Sequence, residues 1–217
     1  MKHKETAAVK RARVTHGRSA IKKLKKLIPG AGMMLTFHNE WELLVAVQLS
    51  AQCTDKKVNE ITPALFARYP TLDDYVRADP REFEQMIFQS GFYRNKTKNI
   101  LAAARMVKQE FHGTLPRTMK EILRIPGVAR KTANVVLGNA HGVVEGIAVD
   151  THVKRLARVL GLTDETSPDK IERDLMEMFP QKDWFRITYL LIEYGRKYCP
   201  ARKHQGCPIG HTKEFHA

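Results

Sequence analysis

LRIPGVARKTANVVLGNAHGVVEGIAVD, Leu123 to Asp150, is the stretch around which the other helical segments arrange themselves. It reads as the end of one helix, a tight turn, a second helix, a loop and the start of a third. Pro126 and Gly127 break the first helix, because proline lacks an N–H and glycine frees the backbone to turn. From Lys131 onward, Val135, Val136 and Ala140 recur at helical spacing, so a helix begins just after the turn. Its first turn carries Arg130 and Lys131. Cations at the positive end of a helix dipole run against the usual pairing of charge and dipole, and such a local conflict points to a site.

That conflict has a chemical use. A lysine amine is protonated at neutral pH and is then no nucleophile. A helix N-terminus and a neighbouring cation both disfavour the ammonium form in general. Asp150 precedes Thr151-His152-Val153-Lys154-Arg155, which reads as a further helix, and takes its N-cap position. A lone lysine on a helix is ordinarily a solvated charge, and a lone aspartate before a helix is ordinarily only a cap. The two together, across a hairpin turn, fit a nucleophile and its carboxylate partner.

The motifs IPGVARKTANVVL (125–137), IAVDTHVKRLARVLGL (147–162), LSAQCTDKKVNE (49–60) and SGFYRNKTKNI (90–100) together resemble the helix-hairpin-helix DNA glycosylases, and within them the endonuclease III branch. The likeness extends over roughly residues 20–200. It implies Lys131 as the nucleophile and Asp150 as its catalytic partner. It implies Gln52 as a plug that fills the space left by an extruded nucleotide, where an amide can hydrogen-bond the orphaned base. It implies Phe92 and Tyr93 as an aromatic wedge into the base stack, although the family commonly has Leu before the Tyr. Without the resemblance, Phe92 and Tyr93 read equally as core. The amides of Gly127, Val128, Ala129 and Arg130 are implied to grip a phosphate. The family turn is usually Gly-Val-Gly, and Ala129 departs from it. Either position 129 needs a positive φ, at a cost to alanine of about 1–2 kcal/mol, or the turn tolerates a methyl group and only its amides matter.

The composition agrees with a polyanionic partner. The 217 residues carry a net charge of +14, with a pI near 9.8. Ten Lys/Arg fall within residues 1–26 against the single Glu5. Residues 1–18 are basic and poor in large apolar groups, and read as a disordered arm, either a solvated tail or a non-specific phosphate contact. Three cysteines in no regular framework suit a reducing, intracellular setting, with a cytoplasmic or nucleoid location expected. No apolar run is long enough to span a membrane.

The remaining segments are helical, and none alternates like a strand. Ile21, Leu24, Leu27 and Ile28 mark the first helix. Asn39, Asp55, Thr71, Asp79, Thr118, Ser167 and Asp183 are read as caps of later ones. The expected architecture is all-α. Two helical lobes, residues 36–145 and residues 19–35 with 146–217, flank a DNA-binding cleft. Lys154, Arg155 and Arg158 form a basic outer face after Asp150.

The C-terminus departs from the family. Relatives carry four cysteines, C-x6-C-x2-C-x5-C, around an iron–sulfur cluster, whereas CPARKHQGCPIGHTKEFHA keeps Cys199 and Cys207. A cluster held by thiolates needs four ligands. The expectation is a degenerate loop without a metal or other cofactor. A zinc site from the two thiols with His204, His211 or His216 matches no standard spacing.

The resemblance therefore implies a base-excision-repair DNA glycosylase with abasic-site lyase activity. It would act as a monomer on damaged double-stranded DNA and remove oxidised pyrimidines through a lysine Schiff base. A pyrimidine-dimer glycosylase and a non-catalytic helix-hairpin-helix DNA-binding module are the alternatives.

Overall fold

A computed structural model describes residues 6–202 and 206–210. Among the described residues the regular structure is entirely helical. The helices are α1 (Ala7–Leu27), α2 (Glu40–Leu49), α3 (Asp55–Arg68), α4 (Leu72–Arg77), α5 (Pro80–Ile87), α6 (Tyr93–Glu110), α7 (Met119–Ile122), α8 (Arg130–His141), α9 (Thr151–Val159), α10 (Pro168–Met178) and α11 (Gln181–Lys197). A short 3₁₀ turn, Phe88–Ser90, links α5 to α6.

The chain divides into two units. One is Met34–Val143; the other joins Met1–Met33 to Val144–Ala217. In the central unit, α2 is buried nearly all round, from Glu42 to Leu49. It packs on α8, α3 and α6, and α4 and α5 pack on α6. Trp41 meets Tyr75 edge-on at 5.2 Å, and Tyr69, Tyr75 and Phe83 complete an aromatic cluster on that side. The terminal unit builds its core from α1, α9, α10 and α11, around Ile21, Leu24, Val153, Leu156, Ile171, Leu190, Leu191 and Tyr194.

The N-terminal arm is a correction. Residues 7–18 are helical, and Thr6 caps the 21-residue α1 by accepting from the Val9 amide. This segment docks without large apolar groups. Arg13 is buried and pairs with Asp164 at 2.5 Å. His16 bonds the Leu160 carbonyl at 2.9 Å. Gly17 lies so close to α10 that a Cβ there would meet Met178 Sδ at 2.2 Å. Lys10 reaches Glu177 at 2.6 Å. Counting apolar residues misses a helix held by a glycine contact and a buried guanidinium.

Two caps shift by a residue or more. Thr54, not Asp55, caps α3. Pro180, not Asp183, precedes α11, and Asp183 pairs instead with Lys25 at 2.5 Å. Asn39, Thr71, Asp79 and Thr118 each accept from the amides expected of a cap.

Candidate nucleic-acid interface and catalytic residues

The hairpin turn follows from its sequence. Thr118 caps α7, which ends at Ile122, earlier than the expected break at Pro126 and Gly127; turns through those two residues lead to α8 at Arg130. Gly127 adopts φ +78°. A Cβ there would also meet Asn99 Cβ at 2.9 Å and Gln48 Oε1 at 3.1 Å, so two independent constraints require glycine. Ala129 has φ −93° and ψ 170°. Extended backbone suits any residue, so the second position of the turn tolerates its methyl group without strain. No side chain caps α8, which leaves its N-terminus to amides and dipole. Lys131 is exposed in its first turn, beside exposed Arg130.

The turn is fastened to α2. Gln48 Nε2 donates to the Pro126 carbonyl at 3.0 Å. Its Oε1 is buried and, among the described residues, accepts from no group.

Gln52, Phe92 and Gly127 line one cleft of about 200 Å³, together with Gln48, Lys96 and Asn99. Three of the residues expected to touch DNA, far apart in sequence, thus meet within the central unit. Both candidate inserting residues are exposed and left-handed: Gln52 has φ 54° and Phe92 has φ 49°. Non-glycine residues rarely adopt this conformation, at a cost on the order of 1–3 kcal/mol each. Phe92 is 65% exposed, which excludes the core reading. Tyr93 is half-buried, with its ring 4.9 Å from that of Phe88 and the Arg94 guanidinium 5.5 Å over it. Tyr93 therefore buttresses the turn more than it projects from it.

Two residues of this cleft carry a part that the sequence reading does not assign. Gln48 is a polar residue inside the apolar run LLVAVQL, and that interruption was a readable signal. Lys96 is buried, and its Nζ donates to the carbonyls of Leu49 at 2.7 Å and Ser90 at 2.8 Å. Burial pushes its ammonium below the ordinary lysine range. Nothing in YRNKTK separates it from its cationic neighbours.

In the terminal unit Asp150 caps α9. Its Oδ1 accepts from the Val153 amide at 2.8 Å and its Oδ2 lies 3.3 Å from His152 Nδ1. Among the described residues of the unit, the second oxygen has just that long contact. Thr151, Lys154, Arg155 and Arg158 line a shallow basic depression on the same helix.

A family-model comparison matches residues 45–181 to the HhH-GPD superfamily base excision DNA repair proteins. Endonuclease III of Synechocystis sp. is 53% identical over 180 residues, 83% of this chain and 82% of the relative. The chain belongs to the HhH-GPD superfamily, in its endonuclease III branch. Endonuclease III of Bacillus subtilis is 42% identical over 190 residues, 86% of each chain. A solved structure of a trapped endonuclease III–DNA covalent intermediate superposes with a TM-score of 0.86 at 40% identity, covering 90% of this chain and 93% of the other.

The family's iron–sulfur cluster does not fit the residues present. Cys199 is fully buried in the terminal core. Its Sγ accepts from Arg155 Nη1 at 3.7 Å and its carbonyl from Arg155 Nη2 at 2.5 Å. Cys207 Sγ lies 3.8 Å from the Tyr198 carbonyl. Burial, with the Cys199 thiol beside it, pushes the Cys207 thiol above its ordinary value. The Ile209 amide donates to the Tyr194 hydroxyl at 3.2 Å, and burial pushes that phenol up to about 12. Two thiols cannot hold four irons. The histidines of the conceivable zinc site, His204, His211 and His216, lie outside the described residues. Among the described residues no helix is long and apolar enough to cross a membrane.

Proposed function

We propose that this chain excises oxidised or ring-opened pyrimidines from double-stranded DNA and then breaks the strand at the resulting abasic sugar. The observation that carries this reading is the exposed Lys131 at the uncapped start of α8, directly after a turn that shares a cleft with Gln52 and Phe92. The α8 N-terminus and the hairpin amides suit a phosphate. The damaged nucleotide leaves the stack, Phe92 wedges the gap and Gln52 answers the orphaned base.

Lys131 Nζ, deprotonated, attacks C1′ of the sugar. The C1′–N bond to the base breaks, and the base leaves with the electron pair and takes up a proton. Ring opening gives an imine between Nζ and C1′. Loss of a C2′ proton then expels the 3′ phosphate, and water hydrolyses the imine to return the amine. The Asp150 carboxylate stabilises positive charge developing on the sugar, or takes the amine's proton.

This chemistry needs no metal. Two C-terminal thiols fall short of the four a cluster takes, so we read the C-terminal segment as cluster-free and expect the purified protein to be colourless. A brown sample with about four irons per chain would overturn that reading. A DNA substrate places the protein with the nucleoid, and a single chain carries all the parts invoked.

The test is incubation with thymine-glycol, abasic and pyrimidine-dimer duplexes in the presence of borohydride. Covalent trapping on the first two is expected. Trapping on the dimer duplex alone would change the substrate. Binding without trapping on any of them would reduce the chain to a DNA-binding module.

A further inference from the structure

We propose that Lys96 is a positioning residue that sets the plug Gln52 and the wedge Phe92 as one device. The inference rests on the function proposed above and concerns a residue given no part in its chemistry. The buried Nζ donates to two carbonyls, one on each inserting segment. Leu49 O belongs to the last residue of α2, three residues before Gln52. Ser90 O belongs to the last residue of the 3₁₀ turn, two residues before Phe92. A single ammonium is thus the shared anchor of two segments that end in exposed, left-handed side chains on the same cleft.

The chemistry of the anchor suits the task. Backbone carbonyls at a helix end lack intrahelical partners, and a cation satisfies them better than a neutral donor. An ammonium carries three donors on one atom, so it can serve two carbonyls at once, which no single-donor side chain does. Strained backbone persists only where its surroundings over-determine it. Lys96 supplies that constraint from within α6, whose first turn begins at the wedge itself: the Lys96 amide donates to the Phe92 carbonyl at 3.1 Å. A further tie reaches the 3₁₀ turn from α3, the helix that follows Gln52: Lys57 donates to Gln89 Oε1 at 3.2 Å. A lysine that merely stabilised the core would not need to end on both inserting segments.

The test is a mutant cycle in single-turnover cleavage of a lesion duplex. Lys96→Met is measured in the native background and in one carrying Gln52→Ala and Phe92→Ala. Lys96→Met is expected to slow cleavage roughly tenfold in the first and less than about twofold in the second. Equal slowing in both backgrounds would overturn the proposal, because a general loss of stability does not depend on whether those two side chains are present. Thermal melts run beside the kinetics. If Lys96→Met is unfolded at the assay temperature, Lys96→Gln, which retains an amide donor, takes its place in the same cycle.

A fluorescent readout adds a direct view. With 2-aminopurine opposite the lesion, native protein raises the emission as the base unstacks. The Lys96 variant, at saturating protein, should give a markedly smaller rise, and an undiminished rise would contradict the proposal. Failure of the native protein to trap with borohydride would instead sink the underlying function. Native trapping with an additive cycle would sink only the role of Lys96.

Discussion

Each unit pins a loop with a cation, and the two loops are held to different ends. In the central unit Lys96 fastens the segments that carry Gln52 and Phe92, and both residues are exposed in left-handed backbone. In the terminal unit Arg155 fastens Cys199 through its carbonyl and its thiol, and Cys199 disappears into the core. The first arrangement displays side chains at a cost in strain. The second buries the side chain at its anchor, Cys199. The Gln52 and Phe92 segments are held at backbone carbonyls so that their side chains stay exposed, whereas Cys199 is held by carbonyl and thiol together and packs inward. Changes to the first should therefore act on rate, and changes to the second on stability.

The largest expected effect tests where this division ends. Asp150 caps α9 in the terminal unit but is assigned chemistry. Asp150→Asn should retain binding to damaged duplex and cleave it on the order of a hundredfold more slowly. A folded variant with an unchanged rate would return Asp150 to the role of a cap and leave the terminal unit purely structural.

Next comes the anchor of Cys199. Arg155→Met removes charge-assisted bonds worth roughly 1.5–3 kcal/mol. The melting temperature should fall by about 3–10 °C, with single-turnover cleavage well below the melt changed far less than in Asp150→Asn. A large loss of rate without a change in melting would place Arg155 among the DNA contacts and erase the contrast.

A smaller effect concerns α1. Arg13→Met breaks the pair with half-exposed Asp164 and should cost about 1–2 kcal/mol, read by urea unfolding. The dependence of DNA affinity on salt should stay the same. A slope shallower by about 0.9 would make Arg13 a phosphate contact.

The smallest falls on the hairpin. Ala129→Gly should raise stability by about 0.5–1 kcal/mol, because glycine is favoured over alanine at an N-cap. A clear gain in DNA affinity would mean that the methyl group obstructs the phosphate.

What the sequence disclosed was local. Pro126-Gly127, the caps Asn39, Thr71 and Thr118, and Asp150 before α9 all act within a turn of their own positions, so residue type alone reports them. Gln52 and Phe92 were found through motifs, but their shared cleft and left-handed backbone depend on contacts between distant segments. Lys96 was invisible for that reason: its meaning lies in two carbonyls that α2 and the 3₁₀ turn bring to it. The first half of α1 was misread because Gly17 and Arg13 pack by shape and charge, which hydrophobic patterning does not score.

The central claim is that Lys131 carries the reaction. Borohydride trapping on an abasic duplex, followed by nuclease and protease digestion and mass spectrometry, tests it directly. The account predicts the reduced sugar fragment on the peptide containing Lys131, and no adduct in Lys131→Gln. A fragment attached to Lys96, to the N-terminal amine or to any other lysine, or undiminished trapping in Lys131→Gln, would contradict it.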